Sequence, residues 1–382
     1  MALAVAGFFG GCTKFQLVDV VMASAYRPDD HRSIDVGPYQ LLAGDFHCHV
    51  SPPDVPSHVD RNLQETVELA AEENIDFLVL TPHIWGQFYA DPQLRDFALD
   101  ALDALEASAP ETDILLTYGF EYSTGRGHAS MGFADLDEVL AGVSPEEFAA
   151  NPDLFFQRWN ERGGLIVINH PLLTPTRSLV ANARWNLSWR PWTSFGPHSA
   201  DIRSIHRRAV GYEAENSAVT HLRDEFLVAR PHSSRRAVLR LMDRTMLRER
   251  RRLVPIGGSD SHSHHLRAVT FVLATERSLA GVRAAVQAGR VCVRDPAACT
   301  LEASADGGPY RPLGSALRAE ETIRVRWRAG AGTLIAGGRE HPFETELELP
   351  ASEECTIVRA ETSAGASGPI FVNCAFAEGA DS

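Results

Sequence analysis

The chain has 382 residues, 44% of them apolar and 23% charged, with a formal net charge of −14. That length accommodates a large domain plus a smaller one, and the acidic balance argues against a general nucleic-acid binder. Lys14 is the only lysine, which excludes a P-loop lysine, a Schiff-base lysine or a carboxylated metal-bridging lysine in the body of the fold.

Six cysteines, at positions 12, 48, 292, 299, 355 and 374, form no CxxC pair, so neither a zinc ribbon nor a thioredoxin-like motif is present. Disulfides among the last four are compatible with the sequence, but no pairing can be deduced from it. No apolar run reaches transmembrane length. Gly-x-Ser-x-Gly is absent, which argues against an α/β-hydrolase.

Residues 1–39 read as a tail. Met1 to Gly11 is small and apolar and ends at Cys12, similar to a shortened lipoprotein signal. It lacks a basic residue ahead of the apolar run and carries Phe9 where leucine is usual, so a plain tail is the other reading. The compartment is accordingly cytoplasmic, or exported if the segment is a signal. Phe15 to Met22 is a candidate strand.

Tyr39 to Val50 reads as a buried first strand broken by Ser51-Pro52-Pro53-Asp54. It carries His47 and His49, and residues two apart on a strand project from one face. Asp60 is the expected N-cap of a helix with Leu63, Val67 and Ala70 at helical spacing. Ile75 to Thr81 fits a buried parallel strand ending at Pro82-His83. A helix follows over about Asp91–Ala107, then a strand Asp113–Phe120 ending at Glu121. A short strand from Gly127 opens with His128.

Pro145 to Arg162 is expected to be one helix, and Leu165 to Ile168 a strand terminated by Asn169-His170-Pro171. Residues 172–208 are irregular and contain Trp185, Trp189, Trp192 and Phe195. Such a long segment is a candidate cover for a pocket or a satellite core. Val210–Glu215 is a strand, and residues 233–252 form an Arg-rich helix whose charge predicts a solvated outer face. Leu253–Gly258 is a strand ending in Ser259-Asp260-Ser261-His262, and Val269–Ala274 is another. Helix Leu279–Ala288 stops at Gly289. Thereafter Thr322–Trp327, Thr333–Ile335, Glu344–Leu349, Thr356–Ala360 and Pro369–Val372 alternate between turns in an all-β pattern. This gives a tail over 1–39, an α/β domain over 40–292 and a small β-sandwich-like domain over 293–382.

Repeated strand–helix alternation predicts a parallel sheet with helical crossovers, closed as a barrel. Chemistry in such barrels sits at the C-terminal strand ends, which is where the candidate ligands fall. Taken singly, each histidine has an ordinary core role as its simpler explanation; the ordered set does not.

The order His47-Cys48-His49, Thr81-Pro82-His83, Glu121, His128, His170-Pro171 and Asp260-Ser261-His262 resembles the PHP (polymerase and histidinol phosphatase) family over roughly residues 40–275. Within it, the chain looks most like the CehA/McbA-like metallohydrolases. The resemblance implies a distorted (β/α)7-type PHP barrel that holds two or three divalent cations, Zn, Mn or Fe, and cleaves a phosphoester with a metal-bridging hydroxide. His47, His49, Asp54, His83, Glu121, His128, His170, Asp260 and His262 are the implied ligands, with Glu121 and Asp260 as bridges. Pro82 stands where the family has Asp, and His58 competes with Asp54 for the third cation. Arg126, beside His128, is a candidate for an anionic substrate group. The CehA/McbA-like branch also allows carbamate, amide or carboxylic ester cleavage. An amidohydrolase-like barrel also opens with HxH, but its usual lysine bridge is missing. A metal-stabilised binding module is the reading from outside enzymology. A small-molecule substrate is the expected partner.

Overall fold

The computed structural model describes residues 31–172, 189, 198–216, 235–262, 266 and 270–377. The candidate signal ending at Cys12, the candidate strand Phe15–Met22, and Trp185, Trp192 and Phe195 lie outside the described residues. Among the described residues no helix is long and apolar enough to cross a membrane.

The central strand is β1 (Gln40–Cys48), buried at all positions but its first. On one side it pairs in parallel with β2 (Phe77–Leu80). Gly44 is needed there, because a Cβ would collide with the Phe77 ring. A second short strand follows at once, β3 (His83–Trp85), but it joins another sheet. Next, β4 (Leu115–Tyr118) pairs in parallel with β2. The second sheet is built in the order β3, β5 (Phe120–Thr124), β6 (Gly127–Gly132), β7 (Leu165–Ile168), β8 (Gly211–Asn216) and β9 (Val254–Gly258). Its pairings are parallel except where β6 runs antiparallel between β5 and β7. The first sheet is extended beyond β1 by antiparallel β10 (Thr270–Ala274) and β11 (Val291–Val293).

The expected barrel is therefore not closed by hydrogen-bonded ladders; two sheets face each other. The predicted strand Asp113–Phe120 shows why. It is split, with β4 ending at Tyr118 and β5 beginning at Phe120, so Glu121 lies inside a strand of the opposite sheet. Gly119 makes the crossing, and a Cβ there would run into the Met131 carbonyl. The parallel crossing from β2 to β3 passes through Pro82, which has no N–H to offer a ladder. At the other seam β1 meets the turn after β9, where the Asp260 amide donates to the His47 carbonyl (2.8 Å) and Cys48 bridges Ser261. Phe46, Phe77 and Val79 from one sheet and Leu165, Val167, Val254 and Ile256 from the other fill the space between.

Helices cover the outer faces. Helix α1 (Leu63–Glu72) is capped by Asn62, whose side chain accepts from the Glu65 amide while Glu65 accepts from the Asn62 amide. This corrects the sequence-based choice of Asp60, two residues too early. Asn62→Ala should cost about 1 kcal/mol of stability, as loss of such a cap does, read from the urea midpoint. Helix α2 (Pro92–Ala107) starts at the Asp91 cap as expected. After α3 (Leu136–Leu140), the predicted single helix over 145–162 is two, α4 (Pro145–Ala150) and α5 (Pro152–Glu161). Pro152 forces the break by excluding Asn151 from the helical region. Helix α6 (Ala200–Arg208) falls in the stretch read as irregular. Phe148, Phe155, Phe156 and Trp159 pack against Ile84, Tyr122, Ala129 and Ile168 on the outer face of the second sheet, with Trp189 in the same core.

Helix α7 (Arg235–Glu249) and α8 (Leu279–Gln287) complete the first part. The C-terminal strands are β12 (Glu302–Ala305), β13 (Arg311–Pro312), β14 (Ala316–Leu317), β15 (Thr322–Arg326), β16 (Gly332–Ala336), β17 (Arg339–Phe343), β18 (Glu346–Pro350), β19 (Thr356–Glu361), β20 (Ala366–Ser367) and β21 (Ile370–Val372). One group, β13-β12-β15-β18, packs Ile323, Val325 and Trp327 against Leu334, Phe343, Val358 and Ile370 of the other. That other group continues the first sheet, because β20 pairs with β11. Disulfides join Cys292 to Cys299 and Cys355 to Cys374.

The Arg-rich helix α7 presents the expected solvated face at Arg236, Arg240, Arg244 and Arg248, with Arg235 as the exception. Arg235 is buried, pairs with Glu215 at 3.2 Å and donates to the carbonyls of Thr362 and Ser363. Arg236 and Arg240 both reach Glu340 on the β16–β17 hairpin. Charge on a helix does not by itself tell which arginines a distant acid will capture: Glu215 lies 20 residues before Arg235, and Glu340 about 100 residues after Arg236 and Arg240.

Candidate metal centre

The two imidazoles of β1 do share a face, and their Nε2 atoms stand 3.1 Å apart. Both are buried, with Cys48 turned away into the core. Burial pushes the Cys48 thiol up to about 12. Glu121 arrives from β5 in register with His83 on β3. Its carboxylate oxygens lie 3.1 Å from His47 Nε2, 3.1 Å from His83 Nε2, 3.1 Å from His128 Nδ1 and 3.7 Å from His170 Nε2. Asp260, in the turn after β9, places Oδ1 3.4 Å from His47 Nε2 and 3.3 Å from His49 Nε2. His262 stacks on His49 at 4.3 Å between ring centroids, and so does His83.

Three groups result in which the donor atoms all lie within 4.8 Å of one another: His47, His49 and Asp260; His83, Glu121 and His128; and His49, His83 and His262. His170 sits beside the second group, through Glu121. Asp54 is in none of them. Its carboxylate lies behind the rings, 3.0 Å from His49 Nδ1 and 3.2 Å from His83 Nδ1, and also accepts from the His83 amide. His58 stands near the third group, 4.4 Å from the His262 ring and 5.2 Å from that of His83. Arg126 is exposed at the turn joining β5 to β6, with its amide bonded to Thr124 Oγ1.

Several side chains that fix this geometry are not apparent from the sequence reading. Glu213 on β8 accepts from His47 Nδ1 (3.0 Å), the His170 amide (2.6 Å) and Asn216 Nδ2 (3.1 Å). Asn169 donates to Glu121 at 2.8 Å, and Asn216 to Asp260 at 3.0 Å. Asp45 ties β1 to the turn after β9 by accepting from the amides of His47 and Ser259, both at 2.9 Å. Burial raises the Asp45 carboxyl to about 6. Arg61 bonds the His49 carbonyl and Ser261 Oγ from beneath. His170 and Asp260 have φ of +27° and +50°, a backbone region that costs a non-glycine residue about 1–3 kcal/mol unless its surroundings enforce it. The Glu213 and His47 hydrogen bonds to their amides enforce it here.

The electrostatics suit cations. Burial alone would raise Glu121 and Asp260, but the surrounding imidazoles hold both well below the usual carboxylate range. Burial opposes charge on His47 and His49 too, yet the Asp260, Glu213, Glu121 and Asp54 carboxylates raise them, His49 to about 9. Those protons occupy positions that divalent cations take when they displace them. Burial and the neighbouring His49 depress His262 strongly, and among the described residues its buried Nε2 has no hydrogen-bond partner. A neutral imidazole with an unused lone pair, aimed among other donors, is what a cation requires. Donors about 2.0–2.2 Å from an ion lie roughly 3.0–3.6 Å from one another, which the 3.1–3.4 Å separations match. The residues present therefore fit divalent cations, and imidazole with carboxylate suits Zn, Mn or Fe.

No family model matches the chain, and no curated protein does. Among solved structures it is similar to a two-domain protein of Bacteroides vulgatus containing a predicted PHP-like metal-dependent phosphoesterase, at 18% identity and a TM-score of 0.43, covering 89% of this chain and 95% of that one. It is similar also to a Bifidobacterium adolescentis protein provisionally described as a metal-dependent phosphoesterase, at 13% identity, a TM-score of 0.27, and 58% and 88% coverage. A third is an amidohydrolase of Chromobacterium violaceum with sulfate bound and no metal, at 15% identity, a TM-score of 0.29, and 58% and 88% coverage.

Proposed function

We propose that the chain is a metal-dependent hydrolase of the PHP type that cleaves a phosphate ester. The observation that carries this reading is the convergence on one rim of donors separated by more than 200 residues, centred on Glu121 and Asp260. His47, His49, His83, Glu121, His128, Asp260 and His262 would hold two or three divalent cations, with His170 and Asp54 adjoining. When bound, the cations supply Lewis acidity that lowers the pKa of a water from 15.7 toward about 7. Asn169, Glu213 and Asn216 keep the donors oriented, and such outer partners are commonly worth 10–100-fold in metal affinity or activity.

The side chains of His83, His262 and His128 are 25%, 22% and 18% exposed, whereas those of His47 and Glu121 are 1% exposed. Substrate therefore approaches from the His83–His128–His262 side. Arg126, exposed on the hairpin that carries His128, would attract an anionic group arriving there. A cluster of divalent charge suits a phosphate dianion better than a neutral ester.

The test is elemental analysis followed by turnover of p-nitrophenyl phosphate beside an aryl carbamate and a carboxylic ester. Two or more equivalents of metal and a preference for the phosphate are expected. A preference for the carbamate or ester would move the protein to the CehA/McbA-like chemistry, and metal without any turnover would favour a binding module.

A further inference from the structure

We propose that Trp85 is an aromatic platform at the mouth of the metal centre, and that the substrate is accordingly an aryl phosphate whose ring stacks on it. This rests on the phosphoesterase reading and adds the substrate class to it.

The placement follows from strand register. His83, Glu121 and Ser130 form one cross-strand row of β3, β5 and β6, and Trp85, Ser123 and His128 form the next row but one. Cross-strand partners, and residues two apart on a strand, share a face of the sheet. The intervening row, Ile84, Tyr122 and Ala129, is buried in the helix-covered core. Trp85 therefore belongs to the opposite face, the one that carries His83, Glu121 and His128. It lies two residues, about 6.6 Å, beyond His83 toward the strand ends, level with His128. The backbone just after it is fixed by the Gly86 amide, bonded to the Ser123 carbonyl at 2.8 Å, and the Gln87 amide, bonded to Tyr122 Oη at 2.7 Å.

At this position Trp85 is 70% exposed. Among the described residues no hydrogen bond, ion pair or aromatic ring holds it. Isolated apolar residues on a surface are common. This one stands on the face that carries the candidate ligands, on the side where the histidines are accessible, two residues, about 6.6 Å, along the strands from the His83–Glu121 row. A flat π-face free to meet a ligand ring contributes binding without demanding a particular hydrogen-bond pattern. A leaving group with an aromatic ring is the part of a phosphate ester that such a surface selects.

The experiment compares phenylphosphonate and methylphosphonate binding to the metal-loaded protein by calorimetry, which needs no turnover, for the wild type, Trp85→Ala and Trp85→Phe. Trp85 is exposed, so both variants should fold and keep the wild-type metal content. The wild type is expected to prefer the aryl ligand by roughly tenfold, Trp85→Ala to lose that preference while still binding methylphosphonate, and Trp85→Phe to recover most of it. In turnover, the loss should appear as a higher KM for phenyl phosphate at little-changed kcat. An aryl preference undiminished in Trp85→Ala would overturn the platform and leave the phosphoesterase reading standing. Failure of the wild type to bind either phosphonate would overturn both.

Discussion

Glu121→Gln should abolish turnover and release metal while leaving the fold intact. The Glu121 carboxylate faces His47, His83 and His128 at 3.1 Å and is kept anionic by them against the pull of burial. The amide removes the negative charge and leaves one acceptor oxygen, which Asn169 already occupies at 2.8 Å. At least one equivalent of metal should be lost, with turnover down by about 10³-fold, equivalent to about 4 kcal/mol of transition-state stabilisation. Asp260→Asn should behave alike, because Asp260 serves both β1 histidines. Glu213→Gln touches no cation in this reading and should cost only about 10–100-fold. Elemental analysis and steady-state kinetics on the three variants, with far-UV circular dichroism as the control for folding, separate these cases. If Glu121→Gln kept full metal content and full turnover, the assignment of the centre would be wrong.

How far the sequence reveals this centre depends on which physical signal each residue leaves. His47 and His49 are legible because a two-residue repeat on a buried strand has a single geometric meaning. His170 and Asp260 are legible because each follows a clean apolar run at the point where a strand must end. Glu213 is not. It lies within strand β8, and nothing local distinguishes it from Glu215, which turns instead to Arg235 and Arg294. Its partners, His47 and the amide of His170, are 166 and 43 residues away, and one sequence carries no record of such pairings. The same holds for the split between β4 and β5. An apolar stretch of uniform character spans Gly119, and only the Met131 carbonyl from β6 makes the glycine a crossing point.

The largest stability effect should come from Arg359→Met, and it concerns the docking of helix α7. Arg359 is fully buried on β19. Its Nε donates to both oxygens of Asp243 on α7, at 2.8 and 3.0 Å, and its guanidinium also meets Glu361. Burial raises the Asp243 carboxyl, and the guanidinium opposes that rise. Methionine fills much of the arginine volume but strands a buried carboxylate. Breaking one partner of a buried pair costs about 3–5 kcal/mol, because the remaining charge keeps its desolvation penalty without compensation. The urea midpoint should fall accordingly. Adding Asp243→Leu together with Glu361→Gln should restore much of the loss, since Arg359 pairs with both acids and replacing a whole buried charge cluster by neutral groups is often nearly neutral. None of the three residues touches the candidate ligands, so kcat at temperatures where the variants are folded should stay within about twofold of wild type. A loss under 1 kcal/mol in Arg359→Met, or a triple variant no better than the single one, would show that Asp243 is not held by Arg359 and that α7 is anchored to the C-terminal strands by Arg235, Arg236 and Arg240 instead.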